Sequence, residues 1–266
     1  MSSILRGGTA RSGHDVPFLV EQWRALAEAR DWSCTVLIEA DGFPVLAIEN
    51  EASQARKEGG LYVSAGVHGD ECAPPWALLE WAEAIEENGE TPLLLLPCLN
   101  PGGVRDNTRT TPGGVDLNRG FQDGSIPLVG AWHSFLDGRC FDRAINLHED
   151  YDATGIYLYE LARSASIGHD LLAACEEGIP REAADEVDGS EFENGLLRRD
   201  VDEESLRQVV EEDLEGGWPE AIWLYLEHAK DSFTFETPSE MELARRIAAH
   251  RDFLVAAASP LLRVGE

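Results

Sequence analysis

Short apolar runs that stop abruptly at glycine-rich, charged turns constrain the fold of this chain more than any other feature. The clearest example is LYVSAGVHGDECAPPWALLEWAEAI, where an apolar run from Leu61 to Val67 ends at a histidine and two carboxylates. An apolar run bounded by glycine is typical of a buried strand, and apolar residues three and four apart are typical of a helix. The stretch therefore predicts a buried strand, a polar turn and a helix.

The rest of the chain continues this alternation. The runs Ser33 to Ala40 and Phe43 to Ile48 flank Asp41-Gly42, which is a strong hairpin signal. Further strands are predicted at Leu93 to Leu99, Ala144 to Leu147, Ile156 to Leu161 and Phe233 to Phe235, and helices at Pro74 to Glu87, Ser164 to Glu177 and from Ser239 or Glu240 to about Ala258. Alternating strands and helices predict an α/β sheet with helices on both faces.

Two segments do not fit the alternation. The stretch from Asn100 to Phe121 is glycine-rich and polar and is predicted to be a long loop, which needs a functional reason to exist. The segment at about 176–215 holds 16 acidic and 4 basic residues, which indicates a solvated helical insertion or a mobile lid. Nothing in the sequence marks a boundary between two domains, so we expect a single catalytic domain over residues 1–266.

The charge balance excludes several classes of partner. The chain has 50 acidic and 21 basic side chains, a formal net charge of −29. Nucleic acids and anionic membrane surfaces both require a basic face, so neither is expected to bind. No apolar run approaches the roughly 18 residues that a membrane helix needs, and the first residues lack a signal-peptide pattern. We therefore expect a soluble, cytoplasmic protein, of unknown oligomeric state.

The cysteines do not indicate a disulfide framework or a thiolate metal site. Their number is odd, their spacing is wide and they form no CxxC motif; they are Cys34, Cys72, Cys98, Cys140 and Cys175. We interpret them as reduced side chains, most of them buried.

Four polar clusters lie at predicted strand ends, where open α/β sheets bind their ligands. They are His68-Gly69-Asp70-Glu71, the loop from Asn100 to Phe121, Asn146-Leu147-His148-Glu149-Asp150, and Phe235-Glu236-Thr237-Pro238. A sheet of this topology can bring all four to one edge.

The clusters contain the side chains of a catalytic zinc site. Two histidines and one carboxylate hold such an ion and leave one position open for water, and His68, Glu71 and His148 supply that set. A separate carboxylate must accept the proton of the water, and Glu236 is a candidate. Arginines in the long loop are suited to a substrate carboxylate or an oxyanion.

Each residue taken singly also has an ordinary structural interpretation. His148 fits a hydrogen-bonded core histidine, and Glu236 fits a cap of the final helix. Asp116 and Asn118 fit turn-forming residues. Only the ordered combination favours the catalytic interpretation.

That combination resembles the zinc carboxypeptidase family, taken broadly to include its succinylglutamate desuccinylase and aspartoacylase branch. The matching pieces are HGDE, NPGG, NTR, GVDLNRGF, NLHED and FTFETP, in family order from about Leu61 to the C-terminus. The resemblance implies a mixed, mostly parallel eight-stranded sheet sandwiched between helices. It also implies one zinc ion per chain on His68, Glu71 and His148, with Glu236 as general base and later general acid.

The resemblance extends to the substrate site. Arg109 matches the position that polarises the scissile carbonyl, and Asn118 and Arg119 match the pair that holds a substrate carboxylate. Asp116 matches a residue that orients a zinc-binding histidine. Tyr225 is the nearest candidate for a substrate-capping tyrosine.

The resemblance leaves the reaction open between branches. HGDECAP and NLHED favour the desuccinylase and aspartoacylase side, whereas GVDLNR and FTFETP favour the peptidases. Glu236 is followed by 30 residues that resemble one helix rather than a β-rich domain, which favours a peptidase. The leading hypothesis is a zinc metallocarboxypeptidase acting on small peptides. The alternatives are an N-acyl-amino-acid deacylase and a catalytically silent binding protein.

Overall fold

A computed structural model describes most of the chain. The described residues are 3–6, 9–86, 89–163, 165–184, 186–187, 190–199 and 202–262. The predicted helix limits at Glu87 and Ser164, and residues 185, 188, 189, 200 and 201 of the acidic segment, lie outside the described residues.

Strands and helices alternate along the chain as predicted. The strands of the described residues are β1 (Ser3–Arg6), β2 (Thr9–Ser12), β3 (Ser33–Ala40), β4 (Phe43–Glu49), β5 (Leu61–Ala65), β6 (Leu93–Leu96), β7 (Phe141–Asp150), β8 (Tyr157–Ala162), β9 (Glu186–Val187), β10 (Ser190–Glu191), β11 (Leu196–Arg198) and β12 (Ala229–Pro238). The α-helices are α1 (Val16–Arg30), α2 (Glu51–Ala55), α3 (Ala73–Ala84), α4 (Pro101–Asp106), α5 (Pro127–Leu136), α6 (Gly168–Ala173), α7 (Glu203–Glu212), α8 (Glu220–Glu227) and α9 (Leu243–Leu262). Within these residues, no helix has the length and apolar character to cross a membrane.

The main sheet has eight strands in the order β11-β8-β12-β7-β5-β6-β4-β3. Four neighbouring pairs are parallel and three are antiparallel, the latter being β8 with β12, β4 with β6 and β3 with β4. The expected mixed, mostly parallel eight-stranded sheet is therefore confirmed.

A hydrophobic core lies on each face of this sheet. Side chains alternate between the faces along a strand, so Val63 belongs to one core and its neighbour Tyr62 to the other. Trp76 of α3 packs into the first core, together with side chains of α1 and α9, and Trp132 of α5 packs into the second. Helices thus cover both faces, as the alternation predicted.

The Asp41-Gly42 hairpin is confirmed. Both residues have a positive φ, 54° and 84°, in the left-handed region that a two-residue hairpin turn requires. Strands β3 and β4 pair on either side of it, with Ala40 opposite Phe43.

The prediction that Asn100 to Phe121 is one long loop is wrong. The segment contains α4 and a short 3₁₀ turn at Leu117–Arg119. The side chain of Asn100 accepts a hydrogen bond from the Gly103 N–H at 2.9 Å, and Pro101 occupies the first turn, so the helix is capped locally. The segment is rich in glycine and lacks the apolar repeat by which a helix is recognised in a sequence, so these features were not predicted.

Three predicted lengths were also wrong. Strands β7 and β12 each have ten residues, so His148 and Glu236 lie within strands rather than after them. The two strands pair in parallel as far as Pro238 and Asp150, which keeps their polar ends extended. The predicted helix from Ser164 to Glu177 is helical only within α6.

A buried carboxylate joins four elements beside these strand ends. Glu149 of β7 accepts hydrogen bonds from the Ala73 N–H of α3 at 2.9 Å and from the Thr237 hydroxyl of β12 at 3.2 Å. It also pairs with Arg246 of α9 at 2.5 Å. Burial raises the pKa of Glu149 to about 7, although Arg246 and the Ala73 N–H lower it. These partners therefore offset part of the free-energy cost of burying the Glu149 carboxylate.

We expect Glu149→Ala to destabilise the protein strongly. The change removes the carboxylate that pairs with Arg246, a side chain that is 3% exposed in the core. Breaking a buried pair in this way costs about 3–5 kcal/mol. Denaturant unfolding measures the loss, with Glu203→Ala as control because the Glu203–Arg207 pair is exposed and worth about 0.5 kcal/mol or less. Equal, small losses in both variants would show that Glu149 does not hold the elements together.

Candidate metal centre

Two of the three predicted ligands lie on a tight turn between β5 and α3. His68 and Glu71 follow the strand directly, and the turn packs against α4. A Cβ atom on Gly69 would lie 1.9 Å from the carbonyl carbon of Gly103, so only glycine fits there. The third ligand, His148, projects from β7. The glycine within HGDE thus lets the turn approach α4 closely.

The three side chains converge on one point. His68, Glu71 and His148 are 3–4% exposed, and one donor atom from each lies within 4.8 Å of the others. His68 Nδ1 contacts Glu71 Oε1, and His148 Nδ1 lies 3.1 Å from Glu71 Oε2. Among the described residues, Glu71 Oε2 and His68 Nε2 have no hydrogen bond of good geometry although both are buried. A metal ion between these three side chains would satisfy the Glu71 oxygen.

The electrostatics of this triad favour a cation. Burial raises the pKa of Glu71, but the two adjacent histidines outweigh it and lower the pKa to about 2. Burial lowers the pKa of His68, but Glu71 and Asp116 raise it to about 9. Glu71 therefore stays ionised inside the triad, and a metal ion that binds there displaces the proton that Glu71 and Asp116 favour on His68. Two imidazoles and one carboxylate form the donor set of a three-ligand zinc site, and the residues fit such an ion.

Asp116 links the triad to Arg109. Its Oδ1 lies 3.4 Å from His68 Nε2, and its Oδ2 accepts a hydrogen bond from Arg109 Nε at 2.9 Å. Burial raises the pKa of Asp116, but His68 and Arg109 hold it well below its usual range. An ionised Asp116 fixes both the histidine ring and the guanidinium.

Glu236 lies beside the triad because of strand register. It pairs with His148 across the parallel β7–β12 ladder and with Tyr157 across the antiparallel β12–β8 ladder. Paired residues of neighbouring strands point to the same face of a sheet, so the three side chains share one face. All three line the same cavity.

That cavity has a volume of about 1090 Å³ and contains most of the predicted site residues. Besides the triad and Glu236, it is lined by Arg109, Asp116, Asn118 and Arg119. The acidic segment contributes Arg199, Asp213 and Leu214 to another wall. The segment from Asn100 to Phe121 and the acidic segment thus both line this cavity.

Asn118 and Arg119 contact the first residue of α8 and the segment before it. Asn118 Oδ1 accepts a hydrogen bond from the Glu220 N–H at 3.0 Å, which leaves the amide nitrogen as the donor end of that side chain. A Cβ atom on Gly217 would lie 2.4 Å from Arg119 Cδ, so the Arg119 side chain passes directly over this glycine. The side chain of Arg119 is exposed at the cavity.

The structure does not bring Tyr225 to the site. Its side chain is 1% exposed, its hydroxyl accepts a hydrogen bond from Arg163 Nε at 3.2 Å, and it is not among the described residues that line the cavity. Arg163 also lies over the ring, 4.8 Å from its centroid. The interpretation of Tyr225 as a substrate-capping residue is therefore corrected.

The cavity also contains residues that sequence reasoning missed. They are Tyr157 and Tyr159 of β8, Ser232 and Thr234 of β12, Arg199 after β11, and His14. Ser232 and Thr234 lie four and two residues before Glu236, so the alternation of side chains along β12 is the signal that could have identified them. No sequence signal identified Arg199, because its position depends on how the acidic segment folds back.

The chain is similar to known proteins in sequence over one segment and in fold over most of its length. Residues 58–129 match the sequence model of the succinylglutamate desuccinylase/aspartoacylase catalytic domain. A crystal structure described as a "putative metallopeptidase" from Shewanella amazonensis superposes with a TM-score of 0.81 at 22% identity, covering 98% of this chain and 99% of that chain. No curated protein sequence matches the chain.

Two further solved structures share the architecture. The metallo-carboxypeptidase from Burkholderia cenocepacia has a TM-score of 0.64 at 16% identity, covering 90% of this chain and 67% of that chain. The fold is that of the metallo-carboxypeptidases. The murein-tripeptide amidase MpaA from Escherichia coli O157 has a TM-score of 0.58 at 18% identity, covering 88% and 93% of the two chains. The expected resemblance to the zinc carboxypeptidase family, taken to include the succinylglutamate desuccinylase and aspartoacylase branch, is confirmed.

We expect His148→Ala to abolish retention of a divalent metal, because the variant leaves two of the three ligands. Metal content after dialysis against zinc, measured by atomic emission, checks this. The matched control is His14→Ala, since His14 lines the same cavity but its Nδ1 contacts the Val104 carbonyl at 2.8 Å. Stoichiometric metal in the His148 variant, or its loss from the His14 variant, would show that the ligand set is different.

Proposed function

We propose that this protein is a zinc-dependent hydrolase that cleaves an amide bond next to a free carboxylate, foremost the C-terminal peptide bond of a small peptide. One observation supports this above all others. A buried two-histidine, one-carboxylate triad, the Glu236 carboxylate and the pair Asn118 and Arg119 share one cavity. A metal site, a proton acceptor and a carboxylate clamp in one cavity are the parts that this reaction needs.

His68, Glu71 and His148 would hold the zinc ion, one per chain. When bound there, zinc lowers the pKa of a water molecule and polarises a carbonyl group. Glu236 accepts the proton of the attacking water and later donates it to the leaving nitrogen. Its register with His148 supports this role, because both side chains lie on the same face of the sheet.

Two arginines have separate roles in this proposal. Arg109 stabilises the negative charge that develops on the carbonyl oxygen, and Asp116 holds its guanidinium through Nε. Arg119, together with the amide of Asn118, holds the free carboxylate of the substrate. A planar guanidinium can bind both carboxylate oxygens at once, which fixes the position of the neighbouring amide.

The comparisons favour two substrate classes. The similarity to metallo-carboxypeptidases and to a murein-tripeptide amidase favours a small peptide. The match of residues 58–129 to the desuccinylase and aspartoacylase domain favours an N-acyl amino acid as the second candidate. Both substrates place an amide beside a free carboxylate, so the same residues serve either. A net charge of −29 disfavours nucleic acids and anionic membranes, which supports a small molecule as the substrate.

We expect Glu236→Gln to retain zinc and lose turnover. The amide is nearly isosteric with the carboxylate but cannot accept the proton, so kcat should fall by about 10²–10⁴-fold. Metal content and kcat are measured on the same preparation. The substrates for kcat are a panel of N-acylated dipeptides and N-acyl amino acids. Glu240→Gln is the control, because Glu240 also lines the cavity but is exposed. A zinc-replete Glu236 variant with normal kcat would remove Glu236 from the mechanism.

We expect Arg119→Lys to weaken substrate binding while preserving charge. Lysine lacks the planar fork, and a charge-assisted hydrogen bond of this kind is worth about 1.5–3 kcal/mol, so KM should rise about tenfold or more. Arg105→Lys is the control, because Arg105 lies in the same segment and pairs with the exposed Asp106. An equal loss against substrates with and without the free carboxylate would show that Arg119 does not bind that group.

A further inference from the structure

A buried carboxylate lies directly behind the Asn118–Arg119 clamp. Glu220 is the first residue of α8 and is 0% exposed, whereas the residues that follow it, Ala221 and Ile222, line the cavity. The backbone N–H of Glu220 donates the hydrogen bond to Asn118 Oδ1 at 3.0 Å. Glu220 is not among the described residues that line the cavity, so its side chain can act on the site only through other residues.

The Glu220 carboxylate is held by hydroxyl groups of the central sheet. Its Oε1 accepts a hydrogen bond from the Tyr62 hydroxyl at 2.5 Å, and its Oε2 accepts one from the Ser64 hydroxyl at 3.0 Å. Both donors belong to β5 and are buried. Trp132 Nε1 of α5 in turn donates a hydrogen bond to the Tyr62 oxygen at 2.9 Å. Each carboxylate oxygen therefore has its own donor, in a position that the sheet fixes.

The same hydrogen bonds extend to the strand that carries a metal ligand. Ser64 pairs with Asn146 across the parallel β5–β7 ladder, and Asn146 Nδ2 donates a hydrogen bond to the Ser64 oxygen at 2.9 Å. Asn146 lies two residues before His148 on β7, so both side chains are on the same face of the sheet. A continuous chain of contacts thus connects the metal strand, β5, Glu220 and Asn118.

The backbone of the clamp is paired with the segment that ends at Glu220. The Arg119 carbonyl accepts a hydrogen bond from the Trp218 N–H at 3.0 Å, and the Trp218 carbonyl accepts one from the Phe121 N–H at 3.1 Å. The aliphatic part of the Arg119 side chain passes over Gly217 of the same segment. The clamp and this segment therefore form one unit, and the Glu220 side chain connects that unit to the central sheet.

The cost of burial indicates that Glu220 does more than stabilise the core. Burying a charged group costs free energy, and replacing buried ionic groups by apolar side chains is often neutral or stabilising. A carboxylate with a separate donor on each oxygen does, however, fix the orientation of the residue that carries it. That residue here is the one whose backbone holds Asn118.

We propose that Glu220 is a positioning residue that holds the Asn118–Arg119 clamp at a set distance from the metal centre. A substrate whose free carboxylate lies on the clamp then has its amide bond beside the metal ligands and Glu236. A shift of the clamp would weaken binding of that carboxylate and move the amide away from the reacting groups. The inference rests on the proposed function, because it concerns the same cavity.

The test uses Glu220→Gln, which changes the volume little. The amide keeps one acceptor oxygen but places an NH₂ group against the Tyr62 or the Ser64 hydroxyl, where two donors then meet. The start of α8 must move to relieve this contact, and Asn118 moves with it. The second variant, Ser64→Ala, removes one of the two donors, so the test does not depend on the folding of a single variant.

The readout is the ratio of kcat/KM for an N-acylated dipeptide to kcat/KM for its C-terminal carboxamide, on zinc-loaded enzyme. The concentration of active enzyme cancels in this ratio, so a loss of folded protein alone does not change it. We expect Glu220→Gln to lower the ratio by about tenfold or more, the size of one lost charge-assisted hydrogen bond, mainly through KM for the free carboxylate. Ser64→Ala should lower it in the same direction.

The matched control is Glu160→Gln on β8. Glu160 is also 0% exposed, and it accepts hydrogen bonds from the Ser166 hydroxyl and the Ile167 N–H. Its neighbours Tyr159 and Leu161 line the cavity, so the Glu160 side chain points to the opposite face of the sheet. The control should lower Tm and leave the ratio unchanged.

A double variant tests the path through Asn118. If Glu220 acts through that residue, Glu220→Gln should change the ratio little when Asn118→Ala is already present. Two effects that multiply independently would contradict the proposal. A wild-type ratio in Glu220→Gln, or an equal fall of the ratio in Glu160→Gln, would contradict it as well.

Failure of the proposed function can be distinguished from failure of this inference. If the zinc-loaded enzyme cleaves neither substrate, the proposed function fails, and calorimetric binding of the dipeptide and of its carboxamide tests the inference by itself. Preferred binding of the free carboxylate that is lost in Glu220→Gln and kept in Glu160→Gln supports the inference. A preference that persists in Glu220→Gln, or no preference in the wild-type protein, contradicts it.

Discussion

The parallel pairing of β7 with β12 is the constraint on which the rest of the structure depends. Its register places His148 beside Glu236 on one face and, one residue further along, Glu149 beside Thr237. Successive residues of a strand point to opposite faces. The pair His148 and Glu236 therefore faces the metal centre, and the pair Glu149 and Thr237 lies on the face covered by α3 and α9. A slip of one residue would exchange the two pairs and remove the site.

The face that carries Glu149 shows how polar strand ends are accommodated in a hydrophobic core, since the polar groups of Glu149 and Thr237 there have partners on neighbouring elements. Glu149 acts at the N-terminus of α3, where its carboxylate accepts the Ala73 N–H, and it also pairs with Arg246 of α9. The turn that carries His68 and Glu71 leads directly into α3. The position of that helix, and thus of two ligands, is therefore tied to the strand that carries the third.

The sequence predicted the sheet and the triad because these depend on local patterns. Apolar runs identified the central strands, and the spacing of His68, Glu71 and His148 suggested a shared metal. The lengths of β7 and β12 were underestimated because polar residues at both ends of each strand interrupt the apolar pattern, among them Arg143 and His148 in β7 and Glu236 in β12. Their extended conformation comes from pairing between strands that are far apart in sequence, which no local pattern reveals.

The acidic segment is a second case in which a local sequence pattern predicted only part of the structure. Its charge indicated a solvated face or a lid, and the exposed carboxylates of α7 agree with solvation. However, Leu206 and Val210 of that helix pack against Trp218 and Ile222, next to the cavity. The described part of the segment therefore also forms a wall of the cavity. The way in which the segment packs places Arg199 at that cavity. Tyr225 was misassigned for the converse reason, since its contacts with Arg163 cannot be read from sequence.

Dependence of hydrolysis on zinc tests the central claim most directly. The protein is stripped with a chelator and titrated with zinc while cleavage of an N-acylated dipeptide and of its C-terminal carboxamide is followed. The account predicts no cleavage without metal, activity that rises to a plateau at one zinc per chain, and a strong preference for the free carboxylate. Cleavage that does not require metal, or equal cleavage of the carboxylate and the carboxamide, would contradict it.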